Sequence, residues 1–457
     1  MSDNIQSFDS RLDDRGISTS PMLALGLAIA ASVILSAFLS DLPSLLFITV
    51  DFLFCMVLFL TLTGKWKSII LLHPFLILFF SFFYSQSFLD QGDGPAYEQV
   101  ISQFFDTKTL TINYDSWILR GDLLGIFKTA GFGVIPTYLI PDQISEKPEP
   151  IFYYLWQSAF HAILLSVAAC LAKTWNSISN ENLDIIILYS LLGPSFFELG
   201  VAPTRHYVTF FSILLFYICF MAITKSISLS KICTMAIAIV LIIISKSVLM
   251  APVIIFIVIF FAIRRSEGKV STSLIGLSSA LVGAITLGPF LLLKLRDYGE
   301  GVAMAGTGSM GYLVAVPIIG QILKLLFALL SPFPWYKADY FVDFIYGGNW
   351  PLFLMHIGSS LIGLHLFLSI ALKWTEIYGS PDIEMRNTVI FGLIMSASIF
   401  GGATGFHSYI LIYFPYLMLI SKSGKYQVSP FIAVLVAAAL NILMAITGFG
   451  ATGAEGP

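Results

Sequence analysis

Long apolar runs, separated by short polar stretches, cover most of the chain. The nearly continuous hydrophobic segments lie at about 22–40, 43–63, 68–85, 151–172, 183–202, 206–224, 272–293, 350–372, 387–405, 406–421 and 430–449. Most approach or reach the roughly 17 to 25 residues that a helix needs to cross the hydrocarbon of a bilayer. Strict apolar and polar alternation over about ten residues, the pattern of membrane strands, does not occur. The pattern therefore predicts an all-α, polytopic integral membrane protein.

Two regions depart from the pattern of one helix per apolar run. The block 232–263 is interrupted at 245–247 and at Pro252, which predicts two short helices that meet at one membrane face. The segment 311–335 contains internal proline, glutamine and lysine residues and leads into Ser-Pro-Phe-Pro-Trp-Tyr at 331–336. We expect a re-entrant or interfacial helix there, with its irregular backbone covered by protein. The chain then crosses the membrane about thirteen times.

The distribution of lysine and arginine predicts the orientation. Of the 24 basic residues, fourteen lie in the N-terminal tail and in turns assigned to one face: Arg11, Arg15, Lys65, Lys67, Lys173, Lys225, Lys231, Arg264, Arg265, Lys269, Lys373, Arg386, Lys422 and Lys425. The other ten lie at the opposite face, and four of them belong to the long loop 86–150, where charges contribute little to orientation. The positive-inside tendency therefore predicts that the first group faces the cytoplasm and that the loop lies outside.

The predicted organisation has four parts. Residues 1–20 form a cytoplasmic tail, because they lack the apolar stretch and the cleavage site of a signal peptide. Residues 21–85 hold transmembrane helices 1–3, and residues 86–150 form an outer loop with short helices. Residues 151–457 hold transmembrane helices 4–13, with the re-entrant segment within 311–349 at the outer face.

Composition agrees with a membrane protein and narrows the function. Hydrophobic residues make up 57% of the chain and charged residues 11%, against about 25% charged residues in soluble domains. The net charge of -3 and the lack of a basic patch argue against nucleic acid as a partner. No phosphate-binding Gly-x-x-x-x-Gly-Lys-Ser/Thr motif occurs and no internal repeat is visible, which disfavours ATP-driven pumps and repeat-based secondary transporters.

The positions of cysteine and histidine do not predict a metal site. The four cysteines lie inside apolar runs, where we expect them to pack as small core residues. His73, His161, His356 and His365 lie on different spans without ligand spacing. We therefore expect no metal and no cofactor. Asp51, in the middle of an apolar run, needs a polar partner and serves either helix packing or a polar path.

Ionisable residues of both signs collect at the predicted outer ends of the spans. Because such groups are costly beside lipid, they are functional candidates: Asp90, Asp93, Glu198, Arg205, His206, Lys246 and His407. An acid can accept the proton of an attacking hydroxyl, and fixed cations can balance a leaving phosphate. These are the groups that transfer of a sugar from a lipid phosphate requires. Tyr97 and Trp335 add aromatic surface on which sugar rings can stack.

Each candidate also has a structural interpretation. Residues 90–95, Asp-Gln-Gly-Asp-Gly-Pro, form a natural turn that can cap a helix. Arg205 can reach lipid headgroups or pair with Glu198. Lys246 can be an ordinary turn residue, and His407 can be a hydrogen-bonded packing residue. The outer aromatic residues can form the belt that membrane proteins have at the water interface.

Several short stretches together carry a resemblance to a known family. They are Gly-Asp-Gly-Pro-Ala-Tyr-Glu at 92–98, Thr-Arg-His-Tyr-Val-Thr at 204–209, Ser-Lys-Ser at 245–247, Ser-Pro-Phe-Pro-Trp at 331–335, and Phe-His-Ser-Tyr at 406–409 with Pro415. Their order resembles that of bacterial O-antigen and exopolysaccharide polymerases (Wzy-like and EpsG-like). These belong to the wider class of GT-C membrane glycosyltransferases that use polyprenyl phosphates.

The resemblance implies an active site at the periplasmic face of the bacterial cytoplasmic (inner) membrane, acting on undecaprenyl-diphosphate-linked glycans. By position, Arg205 would contact the diphosphate, Asp93 would be the acid of the early loop, and His407 stands where relatives often have an arginine. The other candidates, expected to bind substrate, are Asp90, Tyr97, Glu198, His206, Lys246, Trp335 and Tyr409. Partners would be the lipid-linked glycan, membrane lipid and other polysaccharide-assembly proteins.

Three functions remain open from the sequence. A polymerase moves an oligosaccharide from a polyprenyl diphosphate, and the Arg-His pair at 205–206 and the stretch 331–335 favour it. A GT-C transferase uses a monophosphate-linked sugar and an acidic base such as Asp93. A transporter or flippase would use the same charges as a translocation path. A polar route from Asp51 to the inner face would favour transport, whereas an outward cavity closed on the inner side would favour catalysis.

Overall fold

The computed structural model describes residues 42–81, 140–141, 144, 150–194, 196, 206–246, 249–265, 335, 342, 348, 350–396 and 407–446. These residues form α-helices, short 3-10 helices and turns, and no strand occurs among them. The predicted all-α class is therefore confirmed. The predicted tail, the first span, most of the loop 86–150, the span 272–293 and nearly all of the segment 311–335 lie outside these ranges.

The helices follow the predicted apolar runs. In chain order they are α1 (Leu42–Thr61), α2 (His73–Ser81, after a 3-10 helix at Lys67–Leu72), α3 (Pro150–Thr174), α4 (Asn180–Leu192), α5 (His206–Lys225), α6 (Leu229–Lys246), α7 (Met250–Arg265), α8 (Trp350–Tyr378), α9 (Ile383–Ser396), α10 (His407–Leu417, followed by 3-10 helices at Met418–Lys422 and Gly424–Tyr426) and α11 (Pro430–Ile446). The expected break near 245–247 separates α6 from α7. Pro252 lies in the first turn of α7, where a missing N–H breaks no helical bond.

Among the described residues, five helices are long and apolar enough to cross a membrane. They are Pro43–Thr61, Ile151–Thr174, His206–Lys225, Phe353–Tyr378 and Gly424–Leu443. Shorter apolar helices cover Lys67–Ser81, Leu229–Ile243 and Pro252–Phe261. Their length and composition are those of an α-helical membrane protein. The expected total of about thirteen crossings includes residues outside the described ranges and stays a prediction.

Helix α5 forms the centre of the bundle. Its side chains from Tyr207 to Ala222 are buried, as expected of a helix that is hydrophobic all round. The Tyr217 hydroxyl forms a 2.6 Å hydrogen bond with Thr388 Oγ1 of α9, and the Tyr217 ring stacks on Phe391. Because lipid is as apolar as these side chains, close packing and buried hydrogen bonds hold the helices together. Helix α11, by contrast, exposes large apolar side chains along much of its length, as a lipid-facing helix does.

Five turns between helices meet at one end of the bundle, which we call the basic end. They are the turns at 61–66, 174–180, 225–229, 378–383 and 422–424. The basic residues in and beside them are Lys65, Lys67, Lys173, Lys225, Lys231, Lys373, Arg386, Lys422 and Lys425. The charge distribution predicted that all of these residues share one face of the membrane. The structure brings their turns together at one end.

Lysine side chains satisfy backbone carbonyls at this end. The Lys225 ammonium donates to the carbonyl of Asn176 at 2.5 Å, which joins the end of α5 to the turn after α3. The Lys231 ammonium donates to the carbonyl of Ser226 at 2.9 Å and to its hydroxyl at 2.6 Å. The last carbonyls of a helix lack partners within the helix and carry partial negative charge, so a nearby cation stabilises them.

Gly64, in the first of these turns, lies against Asp184 of α4. A Cβ atom on Gly64 would lie 2.5 Å from Asp184 Oδ2. Beside it, the Thr63 N–H donates to Asp184 Oδ1 at 3.4 Å, and the Lys173 ammonium donates to the carbonyl of Thr61. A larger residue at this position would therefore displace the carboxylate.

Lys422 is the charged centre of the basic end. Its ammonium lies 2.9 Å from the carboxylates of Glu181 and Asp382 and donates to Asn182 Oδ1 at 2.8 Å. Burial raises the pKa of Asp382, but the Met385 N–H and Lys422 outweigh burial and hold that pKa below its ordinary value. Burial lowers the pKa of Lys422, but the two carboxylates outweigh it, so the pKa is raised. These charges connect α4, the turn before α9 and the residues that follow α10.

Candidate functional site

Three of the predicted site residues stand at helix ends opposite the basic end. His206 is the first residue of α5, Lys246 the last residue of α6, and His407 the first residue of α10. Helices α5 and α10 run toward the basic end and α6 begins there, so the backbones of all three residues lie at the other end of the bundle. We call them the helix-end group. Their action on one substrate stays a prediction.

The remaining predicted residues are described in part or not at all. Outside the described residues lie Asp90, Asp93, Tyr97, Glu198 and Arg205. The Trp335 backbone N–H donates to Asn441 Oδ1 of α11 at 2.8 Å, and its side chain packs against the buried cluster formed by Leu364, Ala433 and Ala437. Tyr409 lies in the first turn of α10. A common pocket that unites the early loop with the helix-end group is therefore still a prediction.

A buried polar cluster, which sequence spacing did not reveal, lies between α1 and α2. It consists of Asp51, Cys55 and His73, whose exposed fractions are 2%, 0% and 3%. His73 Nδ1 lies 3.0 Å from Asp51 Oδ2 and 3.8 Å from Cys55 Sγ, and Cys55 Sγ lies 4.0 Å from Asp51 Oδ1. We call this group the Asp-Cys-His cluster. Its three side chains are all of types that bind metal ions.

Local and tertiary structure both contribute to this cluster. Asp51 and Cys55 are four residues apart on α1, so they share one face of the helix. The chain then reverses at 61–66, and the 3-10 helix Lys67–Leu72 carries it back beside α1. His73 opens α2 at the level of the other two side chains. The sequence signal for the cluster was the Asp and Cys pair at helical spacing in an apolar run, but only the chain reversal adds the histidine.

His161 is buried on α3, the helix that packs against both α1 and α2. Its Nε2 lies 2.7 Å from the carbonyl of Ser190 and must donate to it. The imidazole stacks against Phe196 and Tyr207 at ring-centroid distances of 5.0 and 4.2 Å. Because Nε2 carries the proton, Nδ1 is an acceptor, and nothing in the described part of the chain hydrogen-bonds to it. Buried acceptors in this state are uncommon in proteins.

An apolar layer separates the Asp-Cys-His cluster from the basic end. The buried side chains between them are Leu58, Leu62, Leu165, Ala169, Ile186 and Ile187, each no more than 1% exposed. Ser166 lies in the same layer and donates to the carbonyls of Phe54 and Ala162. Between the cluster and the basic end, the described side chains of this layer are therefore apolar apart from Ser166, whose hydroxyl bonds to backbone carbonyls.

The other histidines of the described helices lie elsewhere. His356 is buried on α8, and His365 Nε2 lies 3.4 Å from Gln427 Oε1. Among described His, Cys, Asp and Glu residues, the Asp-Cys-His cluster is the group whose ligand atoms all lie within 4.8 Å of one another. His73 has no ligand spacing in the sequence, yet the structure places it beside Asp51 and Cys55. The expectation that no metal is bound stays a prediction.

The chain matches no protein-family model, no curated protein and no solved structure. Its function is therefore inferred from two groups of residues. The helix-end group lies at the end of the bundle that the charge distribution assigns to the outside. The Asp-Cys-His cluster lies inside the bundle, away from that end and separated from the basic end by apolar side chains.

Proposed function

We propose that the chain is a membrane polysaccharide polymerase, which transfers a glycan from a polyprenyl-diphosphate-linked donor to a glycan acceptor. The proposal is supported by one observation. The three residues of the helix-end group lie at the same end of the bundle, opposite the hydrogen-bonded turns of the basic end. A cation at this end of a bundle can hold a diphosphate at the membrane surface while its polyprenyl chain stays in lipid. The stretches that resemble O-antigen and exopolysaccharide polymerases include all three residues of the group.

The proposed reaction divides the chemistry between an acid and several donors. The acceptor hydroxyl attacks the anomeric carbon of the donor glycan, its proton passes to the Asp93 carboxylate, and the bond to the diphosphate oxygen breaks. The leaving polyprenyl diphosphate gains negative charge, which Arg205 and Lys246 balance. His206 and His407 donate hydrogen bonds to the phosphate oxygens. The remaining residues of the proposed site, which orient the sugar rings, are Asp90, Tyr97, Glu198, Trp335 and Tyr409.

The charge distribution supports an extracytoplasmic active face. The positive-inside tendency assigns the basic end to the cytoplasm, so the helix-end group would face the periplasm of a bacterial inner membrane. Hydrogen bonds join the turns of the basic end, and buried apolar side chains lie between these turns and the Asp-Cys-His cluster. This arrangement favours a reaction at the outer end over passage through the bundle.

Polysaccharide chain growth tests the proposal. We expect Arg205→Ala, Lys246→Ala and His407→Ala each to slow polymerisation by at least about 100-fold, because each removes stabilisation of the leaving diphosphate. Lys425→Ala is the matched control, since this lysine is exposed at the basic end. Chain length on gels and membrane levels of each variant are the measurements. Long chains at normal levels in all three variants would rule out the proposed site.

The donor separates the polymerase from a GT-C transferase. Purified protein in detergent would be given either a polyprenyl-diphosphate-linked oligosaccharide or a polyprenyl-monophosphate-linked single sugar, with the same acceptor glycan. We expect product from the diphosphate donor alone. Product from the monophosphate donor alone would identify the transferase, with Asp93 as its base.

The buried Asp51 and His73 pair favours a second function, which is coupled transport. Ionisable pairs inside a helical bundle are typical of transporters and flippases that move protons or cations with a solute. In proteoliposomes, such a protein would carry lipid-linked glycan or solute at a rate that depends on a pH gradient. Loss of this movement in Asp51→Asn, but not in Arg205→Ala, would support transport over glycan transfer.

A further inference from the structure

We propose that Asp51, Cys55 and His73 bind one divalent transition-metal ion, and that Zn²⁺ fits the three side chains best. The metal site shares no residue with the proposed glycan-transfer site, so the two proposals can be tested independently. It would join α1 to α2 inside the membrane. The proposal rests on the distances between the ligand atoms, on the charge of the site, and on the neighbouring imidazole of His161.

The distances between the three side chains are close to those of a tetrahedral zinc site. Zinc bonds of about 2.0 to 2.3 Å at tetrahedral angles separate nitrogen from oxygen by roughly 3.4 Å, nitrogen from sulfur by roughly 3.5 Å, and oxygen from sulfur by roughly 3.6 Å. In the cluster, His73 Nδ1 lies 3.0 Å from Asp51 Oδ2 and 3.8 Å from Cys55 Sγ, and Cys55 Sγ lies 4.0 Å from the other carboxylate oxygen, Oδ1. With one ligand atom taken from each residue, the three atoms lie within 4.8 Å of one another. Small rotations about side-chain bonds are therefore enough to accommodate the ion.

Charge also favours a divalent ion here. All three side chains are buried, and a bare carboxylate or thiolate in such surroundings is costly. One Zn²⁺ with the Asp51 carboxylate, the Cys55 thiolate and a neutral His73 imidazole has no net charge. Without a metal, a proton shared between Asp51 and His73 balances that pair, and the Cys55 thiol donates to Asp51 Oδ1 at 4.0 Å. The bound ion replaces these protons with one divalent charge. The mixed ligand set of oxygen, nitrogen and sulfur suits Zn²⁺ better than Mg²⁺ or Ca²⁺.

His161 provides an observation from outside the ligand set. Its Nδ1 is a buried acceptor without a hydrogen-bond partner among the described residues, and His161 lies on α3, which packs against both α1 and α2. Three protein ligands leave the fourth position of a tetrahedral ion open, and such positions commonly hold water. A metal-bound water is a strong hydrogen-bond donor. We infer that this water donates a hydrogen bond to His161 Nδ1, which accepts none from the described residues.

Metal analysis of the purified chain tests the site. The protein would be purified in detergent through an affinity tag without histidine, stripped with a chelator and reloaded with Zn²⁺ or Co²⁺. We expect about one Zn²⁺ per chain by mass spectrometry, and a Co²⁺ complex that shows thiolate-to-metal charge-transfer absorption. Cys55→Ser should abolish that absorption and weaken Zn²⁺ binding by at least about 100-fold, because it removes a direct ligand.

Cys219→Ser is the matched control. Cys219 is also fully buried in the core, but it lies on α5, so its loss should change neither the absorption nor the affinity. Asp51→Asn should keep the absorption, since Cys55 remains, while it weakens Zn²⁺ binding. His161→Phe keeps an aromatic ring in the stack and should weaken binding by about tenfold, as expected for loss of a partner of the bound water.

Folding must be separated from metal binding. Each variant would be heated with and without Zn²⁺, and we expect Zn²⁺ to raise the Tm of the unchanged protein and of Cys219→Ser, but not of Cys55→Ser. The proposal is overturned if the folded, unchanged protein binds no more Zn²⁺ or Co²⁺ than Cys55→Ser. It is also overturned if charge-transfer absorption persists in Cys55→Ser. Polysaccharide chain growth plays no part in either result.

Discussion

The basic end and the Asp-Cys-His cluster are both polar regions of one apolar bundle, yet they are built from different side chains. At the basic end the carboxylates of Glu181 and Asp382 face Lys422, and they are 71% and 36% exposed. In the cluster Asp51 is 2% exposed and faces a histidine and a cysteine. The first arrangement fastens helix ends to one another near water. The second brings potential metal ligands together away from it.

This contrast shows how the bundle uses polar residues. Charged pairs near water contribute little each, because solvent screens them and their long side chains lose freedom. A buried pair is different, because removal of one member leaves the other desolvated. We therefore expect substitutions in the cluster to have larger effects on stability than substitutions at the basic end.

The largest expected effect is that of breaking the buried pair. His73→Leu leaves the Asp51 carboxylate without its imidazole partner, and we expect it to lower the free energy of unfolding by about 3–5 kcal/mol. The double variant Asp51→Leu, His73→Leu removes both polar groups and should recover much of that loss. Denaturant unfolding in detergent, with metal chelated, measures both values. A loss below about 0.5 kcal/mol for His73→Leu would show that the pair matters no more than an exposed one.

The next effect concerns the contact of Gly64 with Asp184. Gly64→Ala places a Cβ atom 2.5 Å from Asp184 Oδ2, and we expect the free energy of unfolding to fall by about 1–3 kcal/mol as the turn and α4 move apart. Gly424→Ala is the control at the same end, because a Cβ there meets nothing within 4 Å. The same unfolding measurement applies. Equal stability of the two variants would mean that Gly64 and Asp184 are packed less tightly than the structure indicates.

A smaller effect is expected at Lys422, and it depends on pH. Lys422→Gln should cost about 1 kcal/mol near neutral pH, since its partners are partly exposed. The pKa of Asp382 is lowered, so its contribution is present above about pH 3.9 and is lost as the pH falls through the folded-state value. The pKa of Lys422 is raised, so its contribution is present below about pH 10.4 and is lost as the pH rises through the folded-state value.

The difference in unfolding free energy between the unchanged protein and Lys422→Gln should therefore be constant from about pH 5 to 9. It should shrink at both extremes. Lys425→Gln, which replaces an exposed neighbour, should show no such dependence. If the difference changes between about pH 5 and 9, a titrating group other than Asp382 or Lys422 must be responsible.

Thiol labelling tests whether the basic end and the loop 86–150 lie on opposite sides of the membrane. The cysteine substitutions that it needs should hardly change the free energy of unfolding. In a background with the exposed Cys170 and Cys233 replaced by serine, a cysteine at Lys65 reports on the basic end and a cysteine at Gly94 on the loop 86–150. Lys65 is exposed and avoids the close contact of Gly64. We expect a membrane-impermeant reagent added to intact cells to label Gly94→Cys alone. Labelling of Lys65→Cys alone would reverse the proposed orientation.

Much of the described fold was predictable because the apolar runs are long and the turns between them are basic. The run 206–224 became the buried helix α5, and the interrupted block 232–263 became α6 and α7. The 68–85 run differs, since it begins as a 3-10 helix and becomes α-helical only at His73. Hydropathy has no signal for that change, because both conformations satisfy backbone groups within the segment.

The candidate sites were predictable to different degrees. The positions of His206, Lys246 and His407 at helix ends could be predicted from sequence, because polar residues at the ends of apolar runs can be recognised one segment at a time. Only part of the cluster could be predicted from sequence. Asp51 and Cys55 share a helix face because of their spacing, whereas His73 joins them only after the chain reverses. The orphan acceptor of His161 was not visible at all, because its partner Ser190 and its stacked rings come from other helices.

The amino-acid order by itself determined the all-α class, the positions of most described helices, and the set of basic turns that share an end. Those properties follow from apolar length and charge, which act along the chain. Only the packed structure decided that α2 brings His73 to Asp51 and Cys55, and that Asp184 lies against Gly64. Such contacts depend on how helices distant in sequence pack against one another. In an apolar solvent, this packing produces no periodic pattern in the sequence of any single helix.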